Sequence, residues 1–168
     1  MVGGKVCMYA HMPASLIHST TAIEKTQIRG KEANVAITPA GKVSKVIVTG
    51  VVVDSGETEK GIAYVRIHDG TGQITAFAGK FTPELKEKFA KAESGAAITV
   101  IGQIRKTDSG VFINAREAQV FADTEVAVTQ RAIWLKTTYN ELAKAYEETK
   151  NSEVAKALEA IGKVVSNL

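Results

Sequence analysis

The run Ala63-Tyr64-Val65-Arg66-Ile67-His68, the turn Asp69-Gly70-Thr71-Gly72 and the run Gln73-Ile74-Thr75-Ala76-Phe77-Ala78 together decide how this chain folds. Ala63, Val65 and Ile67 alternate with Tyr64, Arg66 and His68. A period of two puts the first set on one face of a strand and the second on the other. Ile74, Ala76 and Ala78 alternate with Thr75 and Phe77 in the same way. The glycine-rich turn joins the two runs tightly, which predicts an antiparallel hairpin.

Upstream, Val43 to Val53 is rich in Val and Ile, with Gly50 in the middle. A glycine inside a long strand marks a bulge or a sharp bend. Downstream, Thr82-Pro83-Glu84 has the signature of a helix start: Thr82 as cap, Pro83 at the first helical position, Glu84 at the positive end. That helix is predicted to run to about Ala92, with Gly95 beyond it. Ile98 to Arg105 reads as a fourth strand, and Thr107-Asp108-Ser109-Gly110 as a second hairpin turn. Val111 to Phe121 reads as a fifth strand, in which Val111, Ile113 and Ala115 oppose Phe112, Asn114 and Arg116.

Three strands, one helix and two strands is the order of a five-stranded Greek-key OB-fold barrel. The bend at Gly50 lets the first strand pair on both sides and close the barrel. A βαβ reading is poorer, because the strands mostly meet at tight hairpins. After Asp123-Thr124 the period becomes helical. Val128, Ala132, Leu135, Tyr139, Leu142 and Tyr146 follow in alternating steps of four and three, an a/d seam. Trp134 and Ile133 lie beside that seam. Asn151-Ser152 breaks and recaps the chain, and Val154, Leu158, Ile161 and Val165 make a second, shorter amphipathic helix.

The expected protein is therefore mainly β with C-terminal α. It divides into an N-terminal arm over residues 1–41, the barrel over 42–122, and a helical region for subunit association over 123–168. The arm is expected to lie extended on the barrel, closed by the turn Thr38-Pro39-Ala40-Gly41.

Composition narrows the classes. No apolar run approaches the roughly 20 residues that span a bilayer, and the first residues lack the long apolar core of a signal peptide. Cys7 is the only cysteine, so no internal disulfide framework exists and a cytoplasmic, nucleoid-associated place is expected. The net charge of +3 permits a polyanion partner without requiring one. Residues 122–168 hold six Lys/Arg against seven Asp/Glu, so the tail is no basic arm for nucleic acid.

Catalysis and metal binding find little support. Gly70-Thr71-Gly72 is too short for a phosphate loop and lacks the following lysine. No motif places a serine or cysteine nucleophile near His68-Asp69. Cys7, His11, His18 and His68 lack the paired spacing of a structural zinc site. No enzyme, cofactor or metal is expected.

Several segments together resemble the middle subunit of replication protein A in an archaeal form, including the archaeal replication protein A-associated proteins. They are Met12-Pro13-Ala14, Ile37-Thr38-Pro39-Ala40-Gly41-Lys42-Val43, Val48-Thr49-Gly50-Val51, Asp69-Gly70-Thr71-Gly72, Phe77-Ala78-Gly79, Phe81-Thr82-Pro83-Glu84 and Val100-Ile101-Gly102. The resemblance spans residues 11–150. It implies a subunit of a single-stranded-DNA-binding complex, with a helix after the barrel that packs on partner subunits. Thr107 stands where such relatives often carry an aromatic.

A surface of this kind stacks bases on aromatic rings and holds phosphates with cations. Tyr64, Arg66 and His68 on the second strand, Phe77 on the third, and Phe112, Asn114 and Arg116 on the fifth are the candidates, with Lys80, Phe81, Arg105 and Lys106 near loop ends. Phe77 and Phe112 have an alternative place as covers of the barrel ends. The seam residues Val128, Ala132, Leu135, Tyr139, Leu142 and Tyr146, with Trp134 as anchor, are the candidate subunit interface, to replication protein A-like partners or to a second copy. The other place for that seam is the chain's own barrel or second helix.

The expected function is a non-enzymatic single-stranded-DNA-binding subunit in replication, repair and recombination. An assembly platform without DNA binding of its own, or an RNA- or tRNA-binding module, would use the same fold.

Overall fold

The computed structural model describes residues 5–79 and 82–167. In chain order the elements are β1 (Val6–His11), α1 (Ala14–Ile17), β2 (Ala22–Ile28), β3 (Lys31–Thr38), β4 (Gly41–Glu57), β5 (Ala63–His68), β6 (Gln73–Ala78), α2 (Pro83–Lys91), β7 (Ala97–Thr107), β8 (Gly110–Phe121), α3 (Thr124–Thr149) and α4 (Ser152–Ser166).

Five of these strands close a barrel. β4 pairs with β5, β5 with β6, β6 in parallel with β8, β8 with β7, and β7 returns to β4. The long β4 makes closure possible, giving Val46–Val51 to β7 and Val51–Glu57 to β5. At the handover sits Gly50, where a Cβ would lie 2.4 Å from the His68 carbonyl oxygen. The bend is thus a close backbone approach that only glycine permits. The register shift comes just after it, between Val52 and Asp54.

The predicted alternation decides the core. Val46, Val48, Val65, Ile67, Ala76, Ile98, Val100, Ile113 and Ala115 are completely buried. α2 sits between the third and fourth barrel strands and buries Leu85 and Phe89. Thr82 precedes α2 as expected but does not cap it with its side chain. Its hydroxyl donates instead to the Gly79 carbonyl at 2.8 Å.

Residues 1–41 were expected to form an extended arm, and the described part is more ordered than that. β1 lies parallel on β4, from Val6 beside Lys42 to His11 beside Ile47. β2 and β3 make a hairpin, and β3 continues onto the start of β4. The hairpin turns at Arg29 and Gly30, both left-handed, with φ of 53° and 78°. An arginine in that position hides the turn from a reading that looks for Asn-Gly or Asp-Gly. α1 buries Ala14, Leu16 and Ile17 in the main core.

α3 begins at the cap Asp123, whose carboxylate accepts from the Glu125 and Val126 N–H groups. Lys150 at φ 50° ends it, and Asn151 caps α4 through the Glu153 and Val154 N–H groups. The chain therefore doubles back, and α4 packs on α3.

This geometry corrects the seam. Trp134, Leu135 and Leu142 are buried at 3%, 0% and 2% exposure within the chain itself. The Trp134 Nε1–H donates to the Ile47 carbonyl at 2.7 Å, pinning α3 to the barrel. Tyr146 is half-buried and packs with the cluster that holds Ile161 and Leu158. Tyr139 lies against Gly162 of α4. Trp134, Leu135 and Leu142 are therefore not free for another chain and Tyr146 is partly covered, while Tyr139 keeps 40% exposure. The reason is the tight αL-turn at Lys150, which delivers a covalently tethered apolar helix to the stripe. Val128, at 61% exposure, and the half-buried Ala132 remain, with Val126 and Ile133 exposed on the same helix. Among the described residues no helix is long and apolar enough to cross a membrane.

Candidate nucleic-acid interface

The outward positions of β5, β6 and β8 bring three rings into one row. Tyr64 and Phe77 are cross-strand partners with ring centroids 6.1 Å apart and planes tilted by 53°. Phe77 meets Phe112 edge-to-face at 5.2 Å. All three are half-buried, so the rings are neither core nor free in solvent. Edge-to-face packing of this kind stabilises the row and fixes its geometry.

A groove of about 780 Å³ runs beside the row. Phe77, Phe112, Asn114 and Arg116 line its floor, with Ile62 from the loop before β5 and Thr107 from the end of β7. A second groove of about 690 Å³ shares Thr82 and Arg116 with the first, so Arg116 stands where the two meet. A register shift puts it there: Gly102 pairs with Ala115 and Ile101 with Glu117, leaving Arg116 without a partner opposite. Such bulges re-aim a side chain at the edge of a site.

The charges divide the face into two sides. On the β5 side, Arg66 forms an ion pair with Asp54 at 3.5 Å, and the Tyr64 hydroxyl donates to the same carboxylate at 3.5 Å. On the β7–β8 side, Arg105 donates to Gln103 Oε1 at 2.8 Å and Arg116 donates to the same oxygen at 3.3 Å. Burial, and then the Arg116 charge beside it, hold the Arg105 guanidinium below the ordinary arginine value. It remains protonated at neutral pH.

The sequence candidates are thus only partly gathered. Tyr64, Arg66, Phe77, Phe112, Asn114, Arg105 and Arg116 share one continuous outer face of β5, β6, β8 and β7. Lys106 is exposed at the far end of β7. His68 does not join them. It sits at the turn end of β5, beside Gln73, and its Nδ1 accepts from the Gly70 N–H at 3.0 Å. Alternation gives the right side of the strand but not the position along it. Lys80 and Phe81 lie outside the described residues.

Two residues escaped the sequence reading. Gln103 carries no motif, and only the pairing of β7 with β8 brings it between two arginines. Asp54 would point into the barrel by strict alternation from Val52. The register shift at Val53 turns it outward, opposite Arg66.

Residues 46–124 match the OB-fold nucleic acid binding domain family. No curated protein matches the chain in sequence. Among solved structures, a chain of the S. pombe Stn1–Ten1 complex is similar with a TM-score of 0.55 at 14% identity, covering 79% of this chain and 95% of that one. A chain of a replication protein A heterotrimer bound to single-stranded DNA gives a TM-score of 0.51 at 13% identity, covering 74% and 89%. A chain from yeast Stn1 and Ten1 gives 0.55 at 12% identity, covering 66% and 58%. At these identities the likeness is one of fold. The closed ring of β4, β5, β6, β8 and β7, with α2 between its third and fourth strands and α3 and α4 after it, is an OB-fold barrel with C-terminal helices.

Proposed function

We propose that this protein is a non-enzymatic, replication protein A-like subunit of a single-stranded-DNA-binding complex, working in DNA replication, repair and recombination. The observation that carries the reading is the row Tyr64–Phe77–Phe112, half-exposed beside the groove and flanked by Arg105 and Arg116. Rings stack bases without reading their identity, and each stacked base contributes on the order of 1–3 kcal/mol. The cations hold the backbone, with a salt dependence set by the number of phosphates neutralised. The family match over the barrel and the fold shared with the Stn1–Ten1 and replication protein A chains support it.

Assembly with partner subunits is the second part of the proposal. Its support is Val126, Val128 and Ile133, at 45%, 61% and 52% exposure on α3. Val126 and Ile133, seven positions apart, share one outward side of α3, with Val128 on another, and exposed apolar side chains sharing a helix face suit an association surface.

Fluorescence anisotropy with labelled oligo-dT tests the DNA reading. Wild type should bind, and Tyr64→Ala with Phe77→Ala should bind at least tenfold more weakly, as loss of one to two stacking platforms requires. Equal binding by the double variant, with its folding intact, would remove the proposed face. An oligo-U of equal length measured beside it separates DNA from RNA, since a site that prefers RNA reads the 2′-OH.

A further inference from the structure

The outer face of β7 and β8 holds two like charges against each other. Arg105 and Arg116 both donate to Gln103 Oε1, at 2.8 and 3.3 Å. The acceptor is a neutral amide, so it orients the two guanidiniums without cancelling either charge. Among the described residues neither arginine has a carboxylate ion-pair partner. Arg66, on the other side of the face, is the contrast, because Asp54 occupies it.

Bringing two cations together costs free energy unless an anion joins them. A fold that merely needed these side chains for packing would not gain from that repulsion. Guanidiniums have planar forks that match phosphate oxygens, and each arginine here uses only part of its five donors on Gln103. The location suits the same ligand. Arg105 is the cross-strand partner of Phe112, and Gln103 is the partner of Asn114, so the charged pair lies one strand away from the last ring of the row.

We propose that Gln103, Arg105 and Arg116 form an anion site for one backbone phosphate of a bound strand, with Gln103 as its positioning residue. The inference rests on the nucleic-acid reading of this face and names the residues that grip the backbone there. Gln103 holds both guanidiniums side by side, and its neutrality keeps their charge available.

The substitution Gln103→Glu tests this directly. Glutamate has the same length and keeps both hydrogen bonds, now charge-assisted, so the fold should be at least as stable. Yet its carboxylate would take the place of the phosphate. Oligo-dT affinity should fall about tenfold, and the log–log salt slope should become shallower by roughly 0.7, the share of one phosphate contact on a single strand. Gln103→Met removes the acceptor without adding charge. It should weaken binding by only about threefold and leave the slope as in wild type, because both cations persist. A purely structural Gln103 predicts the reverse order, with Met harmful and Glu harmless.

Wild-type affinity and slope in Gln103→Glu, while Tyr64→Ala with Phe77→Ala still loses binding, would overturn the anion site and leave the proposed function standing. Should wild type bind no oligo-dT at all, the function falls and the site is read alone. Sodium pyrophosphate is then titrated into wild type and Gln103→Glu while the side-chain N–H signals of Arg105 and Arg116 are followed by NMR. Shifts in wild type that vanish in the variant support the site, and unmoved signals in wild type sink it.

Discussion

The carboxylate of Asp69 accepts a hydrogen bond from the backbone N–H of Ala14 at 2.6 Å, across 55 positions of sequence. Asp69 is completely buried. Its other oxygen takes the Thr71 N–H at 2.8 Å, the Thr71 hydroxyl at 2.7 Å and the Gly72 N–H at 3.3 Å. One side chain thus shapes the turn between β5 and β6 and ties it to the start of α1. Ser15 N–H donates to the Thr71 hydroxyl, and His18 Nε2 lies 2.6 Å from the Gln73 carbonyl, so α1 is fastened to the hairpin at three points.

Asp69→Ala should therefore destabilise the whole protein. It leaves the buried Ala14 N–H without an acceptor and removes the turn's own bonds, at a cost of about 3 kcal/mol. Asp69→Asn keeps one acceptor and should cost less. Urea unfolding of the three proteins checks the order, and a drop below about 1 kcal/mol in the alanine variant would contradict the keystone role.

The α3 seam predicts a stability effect where a partner-facing seam would predict an assembly effect. Leu142 is 2% exposed and packs within the chain. Leu142→Ala should cost about 3 kcal/mol in thermal or urea unfolding, the usual price of a buried leucine. Val128→Ser, at the most exposed of these apolar positions, should leave unfolding unchanged and weaken any association seen by sedimentation. The opposite pattern would place the interface on the buried edge.

Asp54 occupies Arg66, so on the proposed DNA face it would compete with a phosphate for that guanidinium. Both side chains are about half exposed, at 48% and 42%, so the pair itself is weak. Asp54→Asn should release Arg66, tighten oligo-dT binding about threefold at low salt and steepen the salt dependence. Weaker binding in this variant would contradict the competition.

Burial pushes the Cys7 thiol above its ordinary value, with the nearby Glu141 charge adding to it. Less thiolate is present at a given pH, so alkylation by iodoacetamide at pH 8 should be slower in the folded protein than after unfolding. The sign for stability follows from linkage. The folded state holds this proton more tightly, so its contribution is full below the ordinary thiol pKa and is lost as pH rises through the raised one. A faster reaction in the folded protein would contradict the shift.

Much of the barrel was legible residue by residue. Ala63, Val65 and Ile67, then Ile74 and Ala76, are buried as their alternation demands. Pro83 and Asp123 mark true helix starts, and Asn151-Ser152 marks the recapping between α3 and α4. These signals are local: a period of two or of three to four residues, a fixed φ, a side chain that satisfies free N–H groups a few positions away. The β2–β3 hairpin was not legible, because it is polar along most of its length and turns on Arg29-Gly30.

The sequence by itself determined which barrel side chains shun water and where the barrel strands and the helices α2, α3 and α4 lie, since both depend on neighbours along the chain. Only the tertiary structure decided what meets what. It gave the stripe of Leu135 and Leu142 to the chain's own barrel and α4, turned Asp54 outward through one shifted residue, left His68 at the wrong end of its strand for the rings, and set Gln103 between Arg105 and Arg116. Periodicity fixes the direction of a side chain relative to its own element, whereas its partners come from strand register and helix docking, which the free energy of the whole packed chain selects.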